Sequence, residues 1–569
     1  MMSEAAKREY ERWCANCTGA VLEELHAMAG DEALIEQRFG HRQTFGTAGI
    51  RSIMAAGIAC LNDYTVRQAA RGLAAYLAET PGNKTCAIGY DCRNNSRHYA
   101  EICAAALAEK GIHVYVYDRL CPTPMLSFAV RYLHCDAGIV ISASHNTKEY
   151  NGLKCYGPDG GQMTEAPAEK VSAAIDTIDL FQPEQLTFQQ ALEQGTVEFI
   201  AQNVWQAYYT RIQQEAIAPE NVRKARLRVV YSPLCGAGGE PVTHILETLG
   251  AEYHVPQSQR LPSGEFATCP SPNPENEAAF AESYKLADSV QPDLVMATDP
   301  DSDRIAAAIP ENGGYRKFSG NEMGCLLLQY ILEGLKKAGK LPARPVAVKS
   351  VVSTPLADRI AAAYGCEMRT VLTGFKYIGG VILELEEAGR ADDYVLGFEE
   401  SCGYLKGGYA RDKDAVLAAM LIAEMAASYK LQGRTLGQVM DALYAQYGYF
   451  ATGLTNVVFT SEEQKTACMA LMEQLRAAPP KELAGLTVTH MTDFRTGFDI
   501  DAATGEKTPT GLPRENMLRL TLGEHGHVIL RPSGTEPKIK FYYTARAVSM
   551  PEAEECVRKM DAAMKGLLG

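Results

Sequence analysis

One arrangement, written three times along the chain, restricts the fold more than any other feature. A short apolar run ends in a small or polar turn at Cys86-Ala-Ile-Gly-Tyr-Asp91, again at Leu227-Arg-Val-Val-Tyr-Ser232, and again at Val346-Ala-Val-Lys-Ser350. A helix-like stretch follows each, such as Ala100-Glu-Ile-Cys-Ala-Ala-Ala-Leu-Ala-Glu109. Gly111 then sits in a helix-stopping position before a further run, Val114-Tyr-Val-Tyr117. Apolar runs alternating with helical stretches indicate βαβ units and a largely parallel sheet, so three repeats imply three related α/β domains. The chain has 569 residues, enough for about four domains at roughly 150 residues each. The remainder, from about Tyr447, carries a Gly-containing turn and an alternating strand, which predicts a smaller α+β domain. The expected division is a helical lead-in over 1–40, then domains over 41–205, 206–312, 313–440 and 441–569.

In each repeat a later strand candidate runs into an unusually polar loop. These are Ala137-Gly-Ile-Val-Ile-Ser-Ala-Ser-His-Asn146, Pro292-Asp-Leu-Val-Met-Ala-Thr-Asp-Pro-Asp-Ser-Asp-Arg304 and Asp393-Tyr-Val-Leu-Gly-Phe-Glu-Glu-Ser-Cys-Gly403. Open α/β sheets bind ligands at the carboxyl ends of their strands, so chemistry is expected in these loops. Ser144 lacks the flanking glycines of a serine-hydrolase elbow, which leaves a serine that carries a phosphoryl group, or a simple turn. Asp299, Asp301 and Asp303 alternate, aiming three carboxylates at one point, where they repel unless a hard cation such as Mg²⁺, Mn²⁺ or Ca²⁺ neutralises them. An EF-hand is excluded, because Arg304 stands where the loop glycine belongs and Pro310 where the twelfth-position Glu belongs. Arg304 adds a bidentate phosphate donor. Glu399, Glu400 and Ser401 offer the hydrogen bonds that sugar hydroxyls need. Arg531, Ser533, Gly534 and Thr535 form a small-residue turn able to cradle a phosphate, with Lys538 and Lys540 nearby.

Charge and cysteine usage narrow the partners. Lys+Arg 55 against Asp+Glu 69 gives a net charge of −14, which disfavours nucleic acid and leaves small phosphorylated ligands held by local positive groups. The N-terminal stretch has no export-type apolar segment, and the apolar run at 415–423 falls far short of the ~20 residues that span a bilayer. Sixteen scattered cysteines then read as reduced thiols of a cytoplasmic protein. Cys14-x-x-Cys17 has no second pair at zinc spacing and is expected to be structural. No Walker A string occurs, and Pro241 replaces the third glycine after Gly236-x-Gly238, so nucleotide-dependent chemistry loses ground.

Taken in order, Phe45-Gly-Thr-Ala-Gly-Ile-Arg51, the Ser144 loop, the three-Asp loop, the Glu-Glu-Ser loop and Arg531-Pro-Ser-Gly-Thr535 resemble the α-D-phosphohexomutases. Gly374-Phe-Lys-Tyr-Ile378 and Arg411-Asp-Lys-Asp414 resemble the longer bacterial, glucose-1,6-bisphosphate-dependent members. Two positions depart from that pattern: Thr147 replaces the usual proline and Ala415 a frequent glycine, and neither removes a functional side chain. The resemblance implies an isomerase of carbohydrate metabolism that shuttles a phosphoryl group through phosphorylated Ser144. Mg²⁺ would be held by Ser144, Asp299, Asp301 and Asp303, with glucose 1,6-bisphosphate as intermediate and activator. It further implies catalytic roles for Arg51, Lys154 and Lys413, with His145 positioning the serine loop. Thr373, Gly374, Glu399, Ser401 and Arg304 would contact substrate. Arg531, Ser533, Gly534 and Thr535 would grip the phosphate that is not reacting. The expected reaction interconverts glucose 1-phosphate and glucose 6-phosphate, with mannose and pentose phosphates as alternatives, in a monomer or weak dimer with no membrane partner.

Overall fold

A computed structural model of the chain describes residues 2–43, 45–46, 49–459, 462–533 and 538–568. Its first main sheet contains β1 (Gly49–Ile53), β2 (Thr85–Tyr90), β3 (His113–Val116), β4 (Ala137–Ile141), β5 (Tyr150–Tyr156) and β6 (Val197–Phe199), ordered β1-β5-β4-β2-β3-β6. The second holds β7 (Arg228–Ser232), β8 (Glu252–His254), β9 (Leu294–Thr298), β10 (Ile305–Glu311) and β11 (Gly314–Lys317), ordered β11-β10-β9-β7-β8. The third holds β12 (Val346–Ser350), β13 (Glu367–Val371), β14 (Tyr394–Glu399) and β15 (Gly403–Leu405), ordered β13-β12-β14-β15.

The three sheets share one plan. An opening strand (β2, β7 or β12) lies between two parallel neighbours: β3, β8 or β13 on one side, and β4, β9 or β14 on the other. The strand in that last position then turns sharply into an antiparallel partner, β5, β10 or β15. Every residue of β4, β9 and β14 is buried, which explains why these segments read as unbroken apolar runs and not as alternating ones. All three polar loops therefore occupy the same topological position, the hairpin at the carboxyl end of a central strand.

The helix Ala415–Leu431 is buried along nearly its whole length and packs against Glu220–Lys224, Gly239–Leu249 and Gly320–Lys337, fusing the second and third units into one core. Asp414 caps it, accepting the Val416 and Leu417 N–H groups at 2.9 Å each. Among the described residues no single helix is long and apolar enough to cross a membrane.

The fourth unit is built differently. Its strands are β16 (Tyr449–Val458), β19 (His490–Asp493), β20 (Phe498–Asp501), β21 (Lys507–Pro509), β22 (Leu518–Thr521), β23 (Gly526–Pro532) and β24 (Lys538–Ala547), with a separate small hairpin of β17 (Glu482–Leu483) and β18 (Leu486–Thr487). The seven-stranded sheet is antiparallel throughout and shares its core with the helices Glu462–Ala477 and Met550–Leu568. The α/β units with a smaller α+β unit expected from sequence are therefore present. The fourth joins the third through Gly448, whose φ of 110° suits glycine alone, and touches it through an apolar patch in which Val351, Val352 and Leu372 meet Phe494, Met517, Ile529 and Tyr542.

At the other end, helices Glu4–Asn16, Gly19–Ala27 and Glu32–Phe39 close over Trp13, whose ring meets Phe39, Tyr64 and Phe181 edge-on. Cys17 is packed into this cluster, and all sixteen cysteines are unpaired.

Candidate active site

The first hairpin places Ser144 at φ 51°, a left-handed conformation that costs a residue with a β-carbon about 1–3 kcal/mol. Its hydroxyl donates to Asp299 Oδ2 at 2.6 Å and lies 3.2 Å from His145 Nδ1. The ring expected only to position the loop thus reaches the serine oxygen itself. Burial, followed by the charges of Arg304 and Arg51, holds the His145 imidazole well below its ordinary pKa and so neutral. Arg51, on β1, donates to Asn146 Oδ1 at 2.9 Å and so braces the far side of the same loop.

The second hairpin brings Asp299, Asp301 and Asp303 together, with one oxygen from each lying within 4.8 Å of the others, all buried. Asp299 Oδ1 accepts the N–H groups of Asp303 and Arg304 at 3.1 and 3.0 Å. Asp301 Oδ2 accepts from Lys154 Nζ at 2.6 Å and from Thr123 Oγ1 at 2.9 Å. Asp303 Oδ2 faces Lys413 Nζ at 3.2 Å and Lys154 Nζ at 3.6 Å. Asp301 Oδ1 and Asp303 Oδ1 are buried with no hydrogen-bond partner, a costly state for a carboxylate oxygen. Together with Ser144 Oγ these atoms form an all-oxygen set suited to a small divalent cation.

The electrostatics follow from crowding. Burial, then repulsion from Asp301 and Asp303, pushes the Asp299 carboxyl well above its usual range. Burial acts the same way on Asp301, but Lys154 overrides it and holds that carboxyl below the ordinary range. Burial lowers Lys413, yet Asp303 and Asp412 outweigh it and keep the ammonium charged. Arg304 Nη1 is engaged by Glu275 Oε1 at 2.7 Å, while its Nε, buried without a hydrogen bond, lies 3.7 Å from Asp303 Oδ1.

The third hairpin offers Glu399, whose Oε1 accepts the Gly374 N–H at 2.7 Å. Gly374 has φ 122°, so a side chain there is strained, and the neighbouring Thr373 Oγ1 is buried without a partner. Glu400 accepts from Ser350 Oγ at 3.0 Å, and burial with the adjacent Glu399 charge pushes its pKa up to about 7. Ser401 lies in the turn before β15.

From the fourth unit, Arg531 donates through Nε to Glu515 Oε1 at 2.6 Å, and the Ser533 N–H bonds to the Lys538 carbonyl at 2.8 Å across the mouth of the loop. Gly534 and Thr535 lie outside the described residues, as do Thr47 and Ala48 of the first motif. Arg531 sits directly opposite Lys540 in the ladder, and Lys540 feels the charges of Glu400 and Arg304, so this edge faces the second and third hairpins.

Backbone bonds knit the hairpins together at the aspartate loop. Thr123 N–H bonds to Asp301 O at 2.8 Å, Ile305 N–H to Cys402 O at 3.0 Å, and Ala415 N–H to Ser302 O at 3.1 Å. Sequence reasoning missed Thr123, Glu275 and Glu515. It also passed over Glu165, whose Oε1 accepts from Lys376 Nζ at 2.5 Å and from Tyr377 Oη at 3.0 Å, joining the first unit to the third. The one usable signal was Lys376 and Tyr377 inside a string already singled out.

Three family models match this chain: phosphoglucomutase/phosphomannomutase alpha/beta/alpha domain I over 42–182, domain II over 206–313 and domain III over 319–447. The chain belongs to the phosphoglucomutase/phosphomannomutase family, whose members are isomerases acting by phosphoryl transfer. Among its relatives, the phosphoglucomutase of Staphylococcus epidermidis is 36% identical over 515 residues, covering 89% of this chain and 92% of that protein. That of Staphylococcus aureus is 34% identical over 564 residues, covering 98% of both. A putative phosphomannomutase from Thermus thermophilus shares the fold, with a TM-score of 0.68 at 22% identity over 93% of this chain and 99% of that one.

Proposed function

We propose that this enzyme interconverts glucose 1-phosphate and glucose 6-phosphate, with Ser144 as phosphoryl carrier and glucose 1,6-bisphosphate as the intermediate. One observation carries the reading: a strained, buried serine hydroxyl lies 2.6 Å from Asp299, beside two buried carboxylate oxygens that accept no hydrogen bond. Phosphoryl transfer needs that juxtaposition of nucleophile and cation cage. The likeness to the Staphylococcus phosphoglucomutases supports glucose as the sugar.

Ser144, Asp299, Asp301 and Asp303 would hold Mg²⁺, which when bound neutralises the phosphoryl oxygens and polarises phosphorus for attack. The phosphoserine P–O bond breaks as a new P–O bond forms to the 6-hydroxyl oxygen of glucose 1-phosphate, and the proton that this hydroxyl loses ends on the departing Ser144 Oγ, restoring the serine hydroxyl. The bisphosphate turns end for end. Its 1-phosphate then passes to Ser144 Oγ, leaving glucose 6-phosphate. Lys413, kept protonated by Asp303 and Asp412, supplies charge and a proton to the departing sugar oxygen, and the proton that Ser144 Oγ loses as it attacks restores the ammonium. Lys154 fixes Asp301 and Asp303, and Arg51 and His145 orient the serine loop. Glu399, Ser401, Thr373 and Gly374 would meet the ring hydroxyls in both orientations. Arg304 and the loop bearing Arg531, Ser533, Gly534 and Thr535 would bind phosphate. A fourth unit hinged at Gly448 would admit the turning intermediate and then exclude water, which otherwise hydrolyses phosphoserine. The enzyme is read as a cytoplasmic monomer or weak dimer.

The test is intact mass before and after incubation with glucose 1,6-bisphosphate and Mg²⁺, with Ser144→Ala alongside. Gain of one phosphate by wild type only is expected, and no gain under any condition overturns the reading. A kcat/KM clearly higher for mannose 1-phosphate or ribose 1-phosphate than for glucose 1-phosphate reassigns the sugar to a phosphomannomutase or phosphopentomutase.

A further inference from the structure

A left-handed serine at a phosphoryl-transfer centre persists only if its surroundings over-determine it. Two buried side chains from a neighbouring loop do this, and neither belongs to the machinery described above. β2 and β4 are parallel neighbours, with Tyr90 opposite Ile141, so the loops at their carboxyl ends abut. From the β2 loop, Asp91 Oδ2 accepts from Ser142 Oγ at 2.6 Å, and Ser142 Oγ in turn accepts the N–H of Ser144 at 2.8 Å. Arg93 does more. Its Nη1 donates to the carbonyls of Thr147 and Tyr150 at 2.8 and 3.0 Å, and its Nη2 to the carbonyls of Ser144, at 2.6 Å, and Asn146.

One planar guanidinium thus bonds four carbonyls of the hairpin that carries the reactive serine, including that of the serine itself. Its charge is balanced by Asp91, 3.4 Å away, and both side chains are wholly buried. Asp91 is itself fixed through Oδ1, which accepts the Arg93 N–H at 2.9 Å and Ser96 Oγ at 2.7 Å. The guanidinium carbon also lies 5.1 Å from the centre of the ring of Phe266, a residue of the second unit. Arg93 therefore stands on the seam between the unit bearing the nucleophile and the unit bearing the aspartates.

We propose that Arg93, with Asp91, is a positioning residue for phosphoryl transfer: it locks the Ser144 hairpin and sets its register against Asp299, Asp301 and Asp303. This rests on the phosphoserine reading, which it deepens. A lysine at position 93 keeps the charge but has three donors on one atom, and these cannot span the four carbonyls. The role is therefore one of shape more than of charge.

The test compares wild type, Arg93→Lys, Arg93→Ala and Ser144→Ala. Hydrogen–deuterium exchange over the peptide covering 142–150, which needs no catalytic activity, reports the clamp. Phosphate uptake from glucose 1,6-bisphosphate and steady-state kinetics report its consequence. In Arg93→Lys, exchange is expected to rise over 142–150 and not in the third and fourth units. kcat and the uptake rate should fall together by about 100-fold, with KM for glucose 1-phosphate within about threefold, because misplacing a reacting group by about 1 Å costs that much. In Arg93→Ala, added methylguanidinium should recover part of kcat.

Unchanged exchange over 142–150 overturns the clamp whatever the activity. Raised exchange with an unchanged uptake rate overturns the positioning role. A loss confined to KM also overturns it. Should wild type take up no phosphate while exchange still responds to Arg93→Lys, the mutase reading fails and the clamp on the hairpin stands.

Discussion

The Ser144 hairpin and the Arg531 loop do related jobs under opposite mechanical conditions. The first is held by buried groups on every side: a guanidinium on four carbonyls, a carboxylate–hydroxyl relay, and backbone bonds from the aspartate loop to the first and third units. The second leaves a separate antiparallel sheet, which follows Gly448, meets the third unit through Phe450 and a small apolar patch, and has its arginine engaged by the part-exposed Glu515 carboxylate. On the proposed mechanism, bonds are made and broken where atoms cannot drift, and the unreacting phosphate is gripped by a unit that can let go. A reaction whose intermediate must turn over inside the site needs both conditions together.

The largest expected break in that contrast is on the rigid side. Ser144→Ala should lose roughly 10⁴- to 10⁶-fold in kcat, the scale seen when a nucleophile is removed, in a coupled assay of glucose 6-phosphate formation. Asp301→Asn should cost at least ~10²-fold in kcat, and chelation of wild type should reproduce the loss. It should also lower Tm, because Lys154 keeps only the longer contact to Asp303 and breaking a buried pair costs up to ~3–5 kcal/mol.

On the movable side the signature changes. Arg531→Ala should raise KM for glucose 1-phosphate by about 10- to 100-fold, the equivalent of one charged hydrogen bond, while the rate of phosphate uptake by Ser144 falls less. A comparable fall in both would mean that the two regions are not mechanically distinct.

The smallest effect probes the seam of the rigid half. Glu424 lies buried on the core helix, with Oε2 accepting the Ile217 and Ala218 N–H groups at 2.8 and 3.0 Å and Oε1 unpartnered. Burial pushes its pKa from 4.5 to about 7. An acid raised in the folded state destabilises that state once ionised, so wild type loses stability as pH rises from about 4.5 through about 7. Glu424→Gln should remove this slope, gaining at most about 3 kcal/mol above pH 7, measured as Tm against pH.

What could be read from sequence was whatever local pattern dictates. Strands β4, β9 and β14 announce themselves as apolar runs because both faces are covered, and the chemistry clusters just past their ends because parallel strands present their carboxyl ends to one cleft. The alternating aspartates were legible for the same reason, since their convergence is set within five residues. Arg93, Thr123 and Glu275 were not. Their partners lie far along the chain, 178 residues in the case of Thr123 and Asp301, and spacing carries no information across such a distance. Arg93 stood two residues beyond a turn already marked at Asp91, yet nothing local distinguishes a guanidinium that binds four carbonyls from one that faces water.

The chain has two tryptophans, and their positions decide what light can report. Trp13 is sealed among aromatic rings of the N-terminal helices, while Trp205 is buried beneath Arg119 at the seam of the first and second units. The unit that begins at Tyr449 has none. Tryptophan emission therefore follows melting of the rigid half and has no reporter inside the fourth unit. An emission trace unchanged by sugar phosphate would carry no news about closure, and an optical record of it requires an indole introduced beyond Gly448.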